Sequence, residues 1–343
     1  MNIIICTSQV PFVRGGAELL VDGLRDALRR HGHTVDVVAL PYRWQPHTAL
    51  YDSMLAWRLI DLNEVDGRPV DLVIATKFPS YLVQHRRKVV WLVHQHRQAY
   101  DWYGTAFSDF VNTPADRELR DALMAADQTA LNEAQACYAI SQNVARRLWQ
   151  FNRIKATPLY PPSHYDGRFT VGTYGDYIFS DARLDAAKRL DLLIEAMALV
   201  QAPGKLMLAS TGPARPQLEA LVQRLGLHDR IHFCGYVSDE DLLAYYANAR
   251  AVYYAPFDED YGFTTIQAMA AARPVITTSD AGGTLEFVRH GHNGLICEPQ
   301  PQAIADALDR LLSDAAYAAS LGGNGPASVA QITWDDVVRT LTH

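Results

Sequence analysis

The stretch Pro256-Phe257-Asp258-Glu259-Asp260-Tyr261-Gly262-Phe263-Thr264-Thr265-Ile266-Gln267-Ala268-Met269 lies between two apolar runs of strand character, residues 251–255 and 274–278. It reads as an acidic loop, a glycine and a short helix. Thr264 and Thr265 suit the cap of that helix. Ile266, Met269 and Ala270 share a face that can meet a core. Arg273-Pro274 ends it, because the residue before a proline avoids the α region. Free N–H groups and a positive helix end are therefore expected near Gly262, where a ligand can come close to the backbone. Such a place suits a phosphate, and Glu259 and Gln267 bracket it.

Working outward, strands and helices alternate through the whole chain. Residues 3–7 read as a buried parallel strand. Gly15-Gly16, a helix at 17–30 and a strand at 34–40 complete a βαβ unit with glycines at its first turn, a usual place for a phosphate contact. Two more apolar strands are expected at 71–76 and 89–93. The second runs into His94-Gln95-His96-Arg97, polar groups at the carboxyl end of a parallel strand, where ligands bind. Pro158, Pro161, Pro162 and Gly167 punctuate residues 155–169, which divides the chain into domains 1–160 and 161–343. In the second half, a strand at 177–179 precedes an amphipathic helix carrying Leu192, Leu193, Ala196 and Leu199. Strands at 206–210 and 230–233 and helices at 217–225 and 239–248 follow, with a second glycine turn at Gly282-Gly283 and a last helix at 334–341. The fold class is α/β, with a parallel sheet in each of two Rossmann-like domains.

Composition narrows the function. At 343 residues the chain has room for two cores. A formal net charge of −7 argues against a nucleic-acid partner. The one dense basic run, His85-Arg86-Arg87-Lys88, reads as a solvated loop, too small to anchor the chain to an anionic membrane, so at most peripheral membrane contact is expected. Cys6, Cys137, Cys234 and Cys297 show no metal-ligand spacing and read as buried free thiols, which fits a cytoplasmic location. The N-terminus lacks a signal peptide's basic region and long apolar core, and no apolar run reaches the ~18 residues of a membrane span.

The opening stretch resembles the donor-sugar loop of the retaining glycosyltransferase family 4, enzymes of the GT-B fold. That family shows two glutamates separated by seven residues, a glycine three after the first and Ala-Met after the second. Glu259, Gly262, Ala268 and Met269 match, while Gln267 stands where the second glutamate would be. Arg183, Leu184 and Lys188 match the family's Arg-Leu and Lys pattern before the next helix. The resemblance implies two Rossmann-like domains facing across a cleft, with the last helix crossing back to the first domain. It implies that Gly15 and Gly16 face the donor diphosphate, and that His94 lies beside the donor sugar. Arg97 is a weaker candidate for the acceptor. Gly212, Tyr236 and Val237 fall in segments near the nucleotide, the last two toward the base. Gly262, Phe263 and Thr264 offer amides to the diphosphate, and Gln267 touches the ribose.

The implied reaction is retaining transfer of a sugar from a nucleoside-diphosphate sugar to a saccharide or lipid-linked saccharide hydroxyl, as in polysaccharide biosynthesis. Arg183 and Lys188 take the charge that grows on the leaving diphosphate, and Glu259 positions the sugar. With two cations and a helix end for the diphosphate, no cofactor and no required metal are expected, although Asp258-Glu259-Asp260 superficially resembles an Asp-x-Asp metal motif. Two other readings stay open: a same-fold sugar-nucleotide epimerase, and a nucleotide-sugar-binding protein with weakened catalysis. The second is motivated by Gln267 and by Ala272, which replaces a common family glycine. From hydrogen-bond strengths alone, Gln267→Glu is expected to bind a nucleoside diphosphate several-fold more tightly.

Overall fold

A computed structural model describes all residues, 1–343. The chain divides into two compact units. One comprises Met1–His164 with Ile332–His343, the other Tyr165–Gln331.

The first unit begins with β1 (Asn2–Gln9), α1 (Gly16–Arg30) and β2 (Thr34–Pro41). α2 (Ala49–Leu59) and a small antiparallel ribbon, β3 (Glu64–Val65) with β4 (Arg68–Pro69), lead to β5 (Leu72–Ala75) and β6 (Lys88–Leu92). α3 (Pro114–Asn132), β7 (Ala136–Ala139), α4 (Gln142–Asn152) and β8 (Thr157–Pro158) complete it. Six strands form one parallel sheet in the order β2-β1-β5-β6-β7-β8. Its central strands are apolar on both faces because helices cover both, and Ile3, Ile5, Leu72, Val73 and Val90 are all buried. The C-terminal helix, Trp334–Thr342, belongs to this unit. Trp334 packs edge-on to Trp91 and against Gly23 of α1, where an added Cβ would come within 2.4 Å of the indole.

The basic run at 85–88 is not a solvated loop throughout. Lys88 opens β6, is buried, and donates to the carbonyls of Tyr81, Val83 and Ala130 at 2.8–3.0 Å. Three carbonyls and the nearby Glu133 make its burial tolerable. All four cysteines are free, but only Cys6 is fully buried; the others are half-buried.

The second unit runs β9 (Tyr177–Ser180), α5 (Leu190–Leu199), β10 (Lys205–Leu208), α6 (Arg215–Leu225), β11 (Ile231–Phe233), α7 (Asp239–Asn248) and β12 (Ala251–Tyr253). It continues with α8 (Phe263–Ala270), β13 (Val275–Thr278), β14 (Gly294–Cys297), α9 (Pro301–Ser313), α10 (Ala315–Gly322) and α11 (Gly325–Val329). Its six strands are again all parallel, in the order β11-β10-β9-β12-β13-β14. The chain winds outward from β9 in one direction and from β12 in the other. The carboxyl ends of β9 and β12 therefore flank the topological switch point, where open parallel sheets bind ligands. No helix of the chain is long and apolar enough to cross a membrane.

Candidate active site

Most of what converges at the second unit's switch point comes from three segments. Asp181 to Lys188 follow β9, Tyr254 to Gly262 follow β12, and α8 closes the group. Arg189 braces the base of the acidic loop. Its guanidinium donates to the carbonyls of Ala255 and Pro256, to Thr278 Oγ1 and to both oxygens of Asp280. The loop also pairs with the second glycine turn: Gly283 N–H donates to the Glu259 carbonyl at 2.7 Å, and Asp258 N–H to the Asp280 carbonyl at 3.0 Å. The Glu259 backbone is thus held from two sides.

Its carboxylate is held as firmly. Lys188 Nζ and the Tyr254 hydroxyl both donate to Glu259 Oε2, the tyrosine at 2.9 Å. Lys188 also reaches the Tyr254 oxygen at 3.3 Å and lies over its ring. Burial alone would lower the Lys188 pKa; the charge and hydrogen bond of Glu259, with Asp185 and Asp260 behind it, outweigh burial and raise it. Burial, and then Glu259, pushes the Tyr254 phenol well above its ordinary value, so it stays a donor. The three groups form one compact hydrogen-bonded unit. Arg183 is different: it is exposed and unpaired, a guanidinium available to an anion.

The helix start corrects one sequence expectation. The cap of α8 is Gly262, not Thr264 or Thr265. Gly262 has φ +87°, and a Cβ there would come within 2.9 Å of Thr284 Oγ1 and 3.0 Å of the Tyr254 ring. Only glycine meets both demands. Thr264 and Thr265 lie inside the first turn, and the Thr264 hydroxyl donates to Asp181 Oδ1 at 2.6 Å. The N–H groups of Phe263 and Thr264 have no acceptor within the chain, as expected at a helix start.

The remaining predicted residues of this unit have varied settings. Gln267 is buried on α8, and its Oε1 lies 3.0 Å from the Tyr246 hydroxyl. Gly212 touches the Leu184 backbone so closely that a Cβ would lie 2.3 Å from the Leu184 carbonyl, so packing alone requires glycine there. Tyr236, just past β11, is 88% exposed, and Val237 is half-buried. No three His, Cys, Asp or Glu side chains are gathered so as to hold a metal ion.

In the first unit, the Gly15 N–H is already bonded to Glu18 Oε2 at 2.9 Å, and Glu18 is paired with Lys77 at 2.7 Å. Gly16 opens α1. His94 is half-buried, with Nδ1 at 2.9 Å from the Gln95 carbonyl. Arg97 is clamped: Nε donates to Asp101 at 2.9 Å, and the guanidinium stacks over Trp102 at 4.2 Å.

Three members of the site were not singled out from sequence: Asp181, Tyr246 and Tyr254. The available signal for Asp181 and Tyr254 was position, since each directly follows a parallel strand. Nothing local marks Tyr246, which lies in the last turn of α7.

Comparison with known proteins bears on the family and the fold. The family described as "Glycosyl transferases group 1" matches residues 172–328. The chain is 24% identical over 378 residues to an uncharacterized glycosyltransferase of Methanocaldococcus jannaschii, covering 97% of this chain and 94% of that protein. Other curated relatives align over 32–54% of this chain and 20–36% of their own lengths. Among solved structures, sucrose-phosphate synthase from Thermosynechococcus elongatus superimposes with a TM-score of 0.77 at 22% identity, over 99% of this chain and 97% of that one. Anabaena HepE in complex with UDP and glucose gives 0.71 at 18% identity, over 99% and 98%. Residues 172–328 are thus similar to the group 1 glycosyl transferases, and the chain as a whole has the GT-B fold of its solved neighbours.

Proposed function

We propose that the protein transfers a sugar from a nucleoside-diphosphate sugar to a saccharide or lipid-linked saccharide hydroxyl, with retention of anomeric configuration and without a required metal. The observation that carries the reading is the Lys188–Glu259–Tyr254 unit beside the unpaired N–H groups that open α8. Anabaena HepE, of the same fold, has been seen with UDP and glucose, which supports a nucleotide-sugar donor.

In this reading the diphosphate is received by Lys188, Arg183 and the amides of Phe263 and Thr264. These donors are fixed before the reaction, so they stabilise the charge that appears as the bond from the anomeric carbon to the phosphate oxygen breaks. The acceptor oxygen forms the new bond on the same face, and its proton passes to an oxygen of the leaving diphosphate. Glu259 accepts from the sugar hydroxyls and, negatively charged, favours the oxocarbenium-like state.

A thermal-shift panel of nucleoside diphosphates tests the donor class; a ligand at about 100 times its Kd stabilises by about 2.7 kcal/mol. Donor turnover in excess EDTA then tests metal independence, and product analysis with and without acceptor separates transfer from epimerisation. No shift with any nucleoside diphosphate would refute the donor class.

A further inference from the structure

We propose that Asp181 is the carboxylate that receives the ribose 2′,3′-diol of the donor nucleotide, and that residue 267 is a glutamine because it shares one phenol with that carboxylate. The proposal deepens the functional reading above and rests on it. Asp181 directly follows β9, the central strand at the switch point, and is half-buried. Thr264 Oγ1 donates to its Oδ1 at 2.6 Å and the Tyr246 hydroxyl to its Oδ2 at 2.8 Å. A carboxylate has about four acceptor positions, so these two bonds leave room for a ligand's donors.

The ligand class follows from the neighbours. Thr264 is also the residue whose N–H, with that of Phe263, opens the helix end suited to phosphate. A carboxylate repels phosphate and accepts only from donors. Moving from the phosphates into a nucleoside diphosphate, the first part that offers hydroxyl donors is the ribose.

The identity of residue 267 follows from proton counting. Tyr246 is fully buried, and its hydroxyl, with a single proton, lies between Asp181 Oδ2 and Gln267 Oε1 at 2.8 and 3.0 Å. A glutamine can turn either its oxygen or its NH₂ toward that phenol; a glutamate can present only oxygen. Glutamate at 267 would set two carboxylates on one proton, which forces one of them to take up a proton or withdraw. The site therefore accommodates one charge, at position 181. This reverses the expectation drawn from hydrogen-bond strengths alone, in which Gln267→Glu tightens binding.

The test is calorimetric titration of the full chain with uridine and guanosine diphosphates and their 2′-deoxy forms. Native protein, Asp181→Asn, Gln267→Glu and the double variant are compared, with thermal unfolding as the fold control. The native protein is expected to favour the ribose form of its preferred nucleotide by about tenfold. Asp181→Asn should weaken binding by about tenfold and lose the ribose preference. Gln267→Glu should bind more weakly than native, and Asp181→Asn/Gln267→Glu should recover affinity over either single variant, because the one charge has been moved and not doubled. Native affinity and ribose preference in Asp181→Asn, or no ribose preference in the native protein, would overturn the proposal. Should Asp181→Asn fail to fold, Gln267→Glu decides: tighter binding overturns it and weaker binding sustains it. If the native protein binds neither diphosphate, the functional reading falls and takes this proposal with it.

Discussion

Replacing Glu259 by glutamine should lower stability, tighten nucleoside diphosphate binding and abolish most turnover, all in one protein. The Lys188 and Glu259 side chains are 21% and 15% exposed. Breaking a fully buried ion pair costs about 3–5 kcal/mol, while an exposed pair contributes about 0–1. At this exposure the loss should be about 2 kcal/mol, which lowers the Tm by about 4–8 °C for a unit of this size. In the native protein an incoming diphosphate must share Lys188 with Glu259. In the variant it meets an ammonium that has lost its bonded carboxylate and keeps only the charges of Asp185 and Asp260 nearby, so nucleoside diphosphate should bind about three- to tenfold more tightly, a gain of about 1 kcal/mol. Turnover should nevertheless fall about 100-fold, on the scale of losing one preorganised electrostatic group.

Scanning calorimetry, titration with the preferred nucleoside diphosphate and donor turnover read the three quantities separately. The stability effect also has a pH signature. The folded-state pKa of Lys188 is raised, so the pair's contribution is full below the ordinary value of 10.5 and is lost as pH rises through the folded value. The Tm gap between native and variant should therefore close as pH rises into the alkaline range. An unchanged Tm, or weaker diphosphate binding in Glu259→Gln, would refute the assignment of Lys188 to both partners.

Three further outcomes are expected. Arg183→Ala should leave the Tm unchanged, since the side chain is exposed and unpaired, while cutting turnover about 100-fold; near-native turnover would remove Arg183 from the site. Ala272 sits just past α8 at φ +54°, a conformation that penalises a Cβ by about 1 kcal/mol, so Ala272→Gly should raise the Tm by a few degrees, and a lowered Tm would contradict the strain argument. Asp127 is buried, and desolvation pushes its carboxyl from 3.8 to about 7 despite the Tyr100 hydroxyl at 2.7 Å. Because that folded pKa is raised, stability is full below about 4 and declines as pH rises through about 7. Asp127→Asn should remove this decline, and parallel pH profiles for the two proteins would refute it.

What the sequence made legible was whatever depends on neighbours in the chain. The acidic loop, the glycine and the short helix after it could be read from residues 256–269 because their signals are spacing and turn chemistry. The same holds for the alternating strands, whose apolar runs need only be counted. Three features escaped because their partners are distant. Lys88 looks solvated beside Arg86 and Arg87, yet it is buried on carbonyls as far away as Ala130. Thr264 looks like a cap, but Gly262 turns the chain sharply enough to take that position, which frees the hydroxyl for Asp181, 83 residues earlier.

Gln267 shows the limit most sharply. Beside its own neighbours it reads as a glutamate that has lost its charge, and so as a weakened site. That inference treats residue 267 as isolated, and the charge of a buried group is a property of its surroundings. With Tyr246 linking it to Asp181, the relevant question is how many carboxylates one phenol proton can serve. The answer is one, so a neutral residue 267 and a charged residue 181 belong together. A departure from a family pattern is then no measure of lost activity until the partner that made the departure tolerable has been found, and here that partner lies at the end of a different strand.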